Sequence, residues 1–127
     1  MPHLYIEYTS NLKGAFEVDA LLEQANASLL SHSDIIPIGG LRTRAIEIAD
    51  YRVADGAEDD AFVHITLKLG GGRSEAVKKE LCDDLFSTIT DYFEPIYQKR
   101  YLALSMELYE FTNPTYKKNN IHGRYKK

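Results

Sequence analysis

Leu4-Tyr5-Ile6-Glu7-Tyr8-Thr9 is the stretch on which the fold turns. Leu4, Ile6 and Tyr8 alternate with Tyr5, Glu7 and Thr9, the period-two pattern of a strand with two unlike faces. The pattern returns further on, where Val63, Ile65, Leu67 and Leu69 stand between Phe62, His64, Thr66 and Lys68. Each of these strands leads through a turn into a helical repeat. Beyond residues 11–14, Val18, Leu21, Leu22, Ala25, Leu29 and Leu30 recur at three-to-four spacing, which predicts a helix over about 19–31. Beyond Gly70-Gly71-Gly72-Arg73, Ser74 can cap a longer helix with an apolar stripe of Val77, Leu81, Leu85, Ile89, Tyr92 and Phe93, supported by Cys82 and Phe86. Pro95 is expected to bend that helix or end its regular part. Residues 41–52 and 102–109 supply the returning strands, the first with Arg42 and Arg44 on one face and Leu41 and Thr43 on the other.

Strand, helix and strand, twice over, imply two parallel, right-handed βαβ units. They combine into a four-stranded, mainly parallel sheet with both helices on one face, an α/β (two-layer α+β) architecture. One domain is expected over 1–127, with repeat-like halves of about 1–53 and 60–110 and a basic tail over 111–127. The other face of the sheet carries Tyr, Thr, His and apolar groups that a monomer would expose. Burial against further copies of the chain is the expected outcome.

Composition narrows the function. At 44% hydrophobic and 27% charged residues, the chain reads as an ordinary globular protein. Its net charge of −4 is unevenly spread: Lys117, Lys118, Arg124, Lys126 and Lys127 are five of its fifteen cations, and the ten others face nineteen acids. Such a body repels nucleic acid, so the basic tail is expected to be a solvated end or a strap across a neighbouring subunit. No apolar run approaches the roughly 20 residues of a membrane span, and no leader pattern opens the chain, so neither export nor anchoring is expected. Cys82 stands alone within a helical pattern and is expected to fill core. The lone cysteine and the lack of zinc-like His/Cys spacing point to a reducing, cytoplasmic setting without a structural metal.

The chemistry-bearing candidate is Pro2. Removal of Met1, favoured by a small second residue, would turn its ring nitrogen into a free secondary amine at the end of an ordered strand. An α-amino group has a pKa of about 7.7 to 8.0. An apolar pocket and neighbouring cations both lower that value, toward a neutral base at pH 7. A retained methionine would instead leave an amide nitrogen with no usable lone pair. Three arginines can meet this nitrogen: Arg42 and Arg44 on the second strand, and Arg73 in the glycine-rich loop before a helix N-terminus, where anions are favoured. The planar guanidinium fork suits a carboxylate. Each arginine taken singly could equally serve the surface, Arg44 by pairing with Glu7 or Glu47.

The residues also carry a resemblance. Met1-Pro2-His3, Pro37-Ile38-Gly39-Gly40-Leu41-Arg42-Thr43-Arg44, Ala61-Phe62-Val63-His64-Ile65-Thr66-Leu67-Lys68, Gly72-Arg73-Ser74 and Lys118-Asn119-Asn120-Ile121-His122 follow one another along nearly the whole chain. Together they resemble the 5-carboxymethyl-2-hydroxymuconate isomerase family of the tautomerase superfamily. That resemblance implies a homotrimer of double βαβ subunits, Pro2 as catalytic base, and no cofactor. It further implies Arg42 and Arg73 in catalysis and Arg42, Arg44 and Arg73 in substrate binding, within the bacterial breakdown of homoprotocatechuate. His64 and Lys68 match the family run but are expected to be structural. Two other readings stand beside it: a tautomerase for another unsaturated keto acid such as phenylpyruvate, and a non-catalytic trimer that binds carboxylates.

Overall fold

The structure, a computed structural model, describes residues 1–126; Lys127, the last cation of the tail, lies outside the described residues. Strand β1 (His3–Thr9) is followed by helix α1 (Val18–Leu30) and strand β2 (Arg42–Ile48). Strand β3 (Ala61–Gly70), helix α2 (Glu75–Tyr97) and strand β4 (Leu102–Phe111) repeat the order. Short 3-10 turns lie at Ser10–Leu12, Ile38–Gly40 and Ile121–Tyr125.

The two expected βαβ units are present. β1 runs parallel to β2 and β3 parallel to β4, whereas β1 and β3 meet antiparallel at the centre of the order β2-β1-β3-β4. Alternation fixes which side chains enter the core: Leu4, Ile6 and Tyr8 from β1 and Val63, Ile65, Leu67 and Leu69 from β3 are buried. They meet Leu21, Ala25 and Leu29 of α1 and Leu81, Leu85, Ile89 and Phe93 of α2 in one cluster, so both helices cover the same face of the sheet. Ser74 caps α2 as its position suggests, its hydroxyl accepting from the Val77 N–H at 3.2 Å. Cys82 packs against this core, where burial and the adjacent Asp83 carboxylate raise its pKa and keep the thiol neutral.

Two boundaries differ from expectation. β2 stops at Ile48 rather than running to 52, because its partner β1 ends at Thr9, the residue opposite Ile48. An edge strand without a further partner has no ladder to extend. Helix α2 continues past Pro95 to Tyr97. Pro95 lies in the last turn, so the missing N–H removes one bond near an end that frays anyway.

Replacing Ile65, fully buried at the centre of the sheet, by alanine is expected to cost about 2–5 kcal/mol. The same change at Ile38, 48% exposed, should stay near zero. Denaturant melts of the two variants beside the parent protein provide the comparison.

Candidate active site

Strand direction assembles the site. Because β1 and β2 are parallel, Arg42 at the start of β2 stands opposite His3 at the start of β1, and the Arg42 N–H donates to the Pro2 carbonyl at 3.0 Å. Because β3 is antiparallel to β1, its C-terminal end reaches the same edge, with Lys68 opposite His3. Arg73 follows immediately, in the loop between β3 and α2. Pro2, Arg42 and Arg73 are thereby drawn to one end of the sheet, and Pro2 itself is buried.

Carbonyl oxygens hold both arginines. Arg42 Nη1 donates to the Gly39 and Leu41 carbonyls, each at 3.1 Å. Arg73 Nη1 donates to the Gly70 carbonyl at 2.7 Å and Nη2 to that of Ile35 at 3.1 Å, tying the β3–α2 loop to the segment after α1. A guanidinium has five N–H donors, so these contacts aim each group and leave donors over. Among the described residues, no carboxylate forms an ion pair with Arg42, Arg44 or Arg73. Their charges are uncompensated in a protein that is acidic overall.

The chain's amino end registers that field. Burial first, then the cations Lys117, Arg73 and Arg42, lower the pKa of the Met1 amine below the ordinary chain-end value. The chain end and two of the three candidate arginines therefore share one electrostatic environment. Arg44 is separate. Its Nη2 lies 2.7 Å from His3 Nδ1 and its guanidinium stacks 4.3 Å from the Tyr5 ring centroid, on the helix-free face. Arginine cannot accept a hydrogen bond, so His3 Nδ1 must be the acceptor and the imidazole neutral. Burial, Arg44, the amino terminus, Arg42 and Lys68 all lower the His3 pKa accordingly. Neither Glu7 nor Glu47 takes Arg44; Glu47 acts on the Tyr8 hydroxyl, whose pKa burial and that carboxylate raise. His64 contacts Ser105 and Glu107 across the sheet at 2.7 and 3.3 Å, and Lys68 lies over the Tyr5 and Tyr109 rings.

The basic tail corrects one expectation. It is not wholly solvated: Asn119 Nδ2 donates at 2.8 Å to the Gly39 carbonyl, and the 3-10 turn Ile121–Tyr125 packs beside the turn Ile38–Gly40 of the same chain. The approach is so close that a methyl group on Gly39 would lie 2.6 Å from His122 Nδ1 and 2.9 Å from its Cα. Asn119 and His122 were marked in the sequence only as part of the family run 118–122, with no contact foreseen for them, because a cationic run without periodicity reads as solvated. The Gly39-Gly40 pair, which admits a close neighbour, was the physical signal for that contact. A cleft of about 680 Å³ between Pro37, Gly39, Asn119, His122 and Tyr125 takes in neither Pro2 nor the arginines.

Two βαβ units joined in one four-stranded sheet, with both helices on one face, define a tautomerase-like fold. The fold is shared with a fused 4-OT wild type symmetric trimer, at a TM-score of 0.62 and 19% identity over 87% of this chain and 85% of that one. A model of the 5-carboxymethyl-2-hydroxymuconate isomerase family matches residues 2–125. A 5-carboxymethyl-2-hydroxymuconate Delta-isomerase of Escherichia coli is 35% identical over 128 residues, spanning 99% of this chain and 100% of the relative. The crystal structure of a 5-carboxymethyl-2-hydroxymuconate isomerase from Deinococcus radiodurans R1 superposes at a TM-score of 0.93 with 49% identity, over 99% of this chain and 95% of that one. The chain belongs to the 5-carboxymethyl-2-hydroxymuconate isomerase family.

Gly39→Ala is expected to expel the tail, since the added methyl meets backbone as well as side chain. Trypsin should then cut at Lys117 or Lys118 faster than in the parent protein. Unchanged cleavage would show that the close approach is dispensable.

Proposed function

We propose that this protein is a cofactor-independent isomerase that converts 5-carboxymethyl-2-hydroxymuconate to its 2-oxo isomer, in the breakdown of homoprotocatechuate. The observation that carries this reading is the amino terminus lying within the field of Arg42 and Arg73, neither of which has a carboxylate partner. After removal of Met1, the Pro2 nitrogen becomes the basic group of that region. The substrate is a dienol with three carboxylates, and its reaction moves one proton from the 2-hydroxyl to C5. Neutral Pro2 accepts the proton from oxygen, the electrons shift through the diene, and the protonated ring nitrogen returns the proton to carbon. No redox change occurs, so a base and a source of electrostatic stabilisation suffice. Positioned acid-base transfer contributes roughly 10²- to 10⁴-fold. Arg42 and Arg73 bind carboxylates and stabilise the developing dienolate, where one donor is worth about 10²- to 10³-fold. Arg44, held against His3 and Tyr5, contributes to the field that draws the anion in.

The working assembly in this proposal is a homotrimer. Tyr109 and Ile46, 56% and 41% exposed, lie on the sheet face that no helix covers, and that face suits burial between subunits. A neighbour would also supply the wall that the cleft beside Gly39 does not provide around Pro2. The proposed setting is cytoplasmic, in keeping with the unpaired Cys82. Among the described residues, no helix is long and apolar enough to cross a membrane.

Three measurements test this. Blocking the amino terminus, by acetylation of the Met-free protein, should lower kcat/KM at least about 10²-fold; equal activity of both forms would sink the mechanism. The acid limb of kcat/KM in the Met-free protein should fall below the roughly 7.7–8.0 of a free chain end, because burial and cations disfavour the charged amine. Arg73→Ala removes one of those cations and should move the limb to higher pH. Light scattering should give about three times the 14.4 kDa chain mass, and a monomer at assay concentration would overturn the trimer.

A further inference from the structure

Arg42 leans on a peptide group that its own loop does not fully fix. Its Nη1 donates to the Leu41 and Gly39 carbonyls, each at 3.1 Å, while Nε and Nη2 have no hydrogen-bond partner among the described residues. The two anchors differ in kind. Leu41 directly precedes the arginine, so its carbonyl moves with a backbone that the Arg42 N–H already ties to the Pro2 carbonyl at 3.0 Å. The Gly39 carbonyl belongs instead to a peptide flanked by two glycines, whose wide φ/ψ range lets such a plane turn at little steric cost. On its nitrogen side this plane is held, because the Gly40 N–H donates to the Pro37 carbonyl at 3.0 Å. On its oxygen side the second hold comes from far along the chain, where Asn119 Nδ2 donates to the Gly39 oxygen at 2.8 Å.

The surroundings are shaped for that contact. Asn119 is half-buried, and its Oδ1 accepts from the Ile121 N–H at 2.8 Å, which decides that the NH2 end of the amide faces Gly39. Only glycine at 39 admits the tail so closely, since a methyl there would lie 2.6 Å from His122 Nδ1 and 2.9 Å from its Cα. A methyl on Gly40 would lie 3.5 Å from His122 Cε1 and 3.7 Å from Pro2 Cδ, so the turn is packed between the His122 ring and the proline ring. One oxygen atom separates the amide from the arginine.

We infer that Asn119 is a positioning residue for Arg42: by fixing the Gly39 carbonyl it aims the guanidinium, and it acts on the reaction only through that group. This deepens the function proposed above and rests on it for the reaction. Without the amide, the Gly39 plane is free to turn and Nη1 keeps only the anchor that travels with its own backbone. The remaining donors then face a carboxylate in a wider range of directions, and a charge-assisted contact that depends on direction weakens.

A double-mutant cycle on the full-length, Met-free protein tests this. Asn119→Ala should lower kcat/KM about tenfold, the worth of one ordered hydrogen bond. In an Arg42→Ala background the same change should do nothing further, because the group it aims is gone. A tail that acts independently of Arg42 would lower kcat/KM by the same factor in both backgrounds, and that result would overturn the inference. Asn119→Asp keeps an acceptor for the Ile121 N–H but has no donor for Gly39, so it too should be impaired at neutral pH; parent-like activity there would equally overturn it. Asn119 lies outside the core cluster, so these variants are expected to fold. A readout free of turnover is the Arg42 Nε–H signal in NMR, identified by its loss in Arg42→Ala. It should shift in Asn119→Ala, and a parent-like signal would sink the inference whatever the activity. A shifted signal in a protein that does not isomerise the dienol would refute the function proposed above and leave the aiming of Arg42 standing.

Discussion

The antiparallel pairing of β1 with β3 is the constraint on which the site depends. Each βαβ unit by itself runs its two strands the same way, so its connecting loops fall at opposite ends. Joining the units parallel would leave Pro2 and Arg42 at one end of the sheet and Arg73 at the other. The register that sets His3 opposite Lys68 reverses the second unit and carries the end of β3, with the loop that bears Arg73, to the beginning of β1. The seam is secured by the core itself. Leu4 and Ile6 stand directly opposite Leu67 and Ile65, and a slip of one residue would turn the pair on the slipped strand from the helices toward the open face.

The charges gathered at that end are stable only because other contacts hold them. Several cations close together repel one another, and an acidic chain has carboxylates enough to neutralise them. The fold keeps those carboxylates elsewhere: Glu110 and Glu75 on Lys78, Asp83 on Lys79, Asp59 on Arg100. Arg42 and Arg73 are steadied by backbone carbonyls, which orient a guanidinium without cancelling its charge. His3 follows the same logic. Surrounded by Arg44, Arg42 and Lys68, its ring stays neutral and offers Nδ1 to Arg44 as a lone pair. The field that lowers the chain-end pKa and attracts an anion is one feature with two consequences.

Much of this was legible in the sequence, and the limits have physical causes. Leu4, Ile6 and Tyr8, or Leu81, Leu85 and Ile89, announce their elements because a buried face imposes a period that few other constraints imitate. Alternation has no direction, however. Val63, Ile65 and Leu67 read the same whether β3 runs with β1 or against it, so the central seam could not be taken from the pattern. The arginines were marked by their residue type and place, but alternation put Arg42 and Arg44 on one face, and the family resemblance alone told them apart. The strand start supplies the physical difference, because the first bends back to carbonyls of its own loop while the second lies along Tyr5. The end of β2 was lost for a similar reason: Ala49 to Arg52 are compatible with a strand, and only the length of β1 denies them a partner.

The tail shows why composition is a weak guide to order. Five cations without periodicity describe a solvated end on average, and average composition takes no account of single contacts. Two glycines in succession remove two side chains from the Ile38–Gly40 turn, and the vacancy is filled by His122, while an amide from Asn119 meets a carbonyl that already carries Arg42. A carbonyl with two donors is held from two sides, so the strap and the arginine constrain each other's position. The glycines at 39 and 40 therefore bear on the cation beside Pro2 although neither has a side chain to offer a substrate.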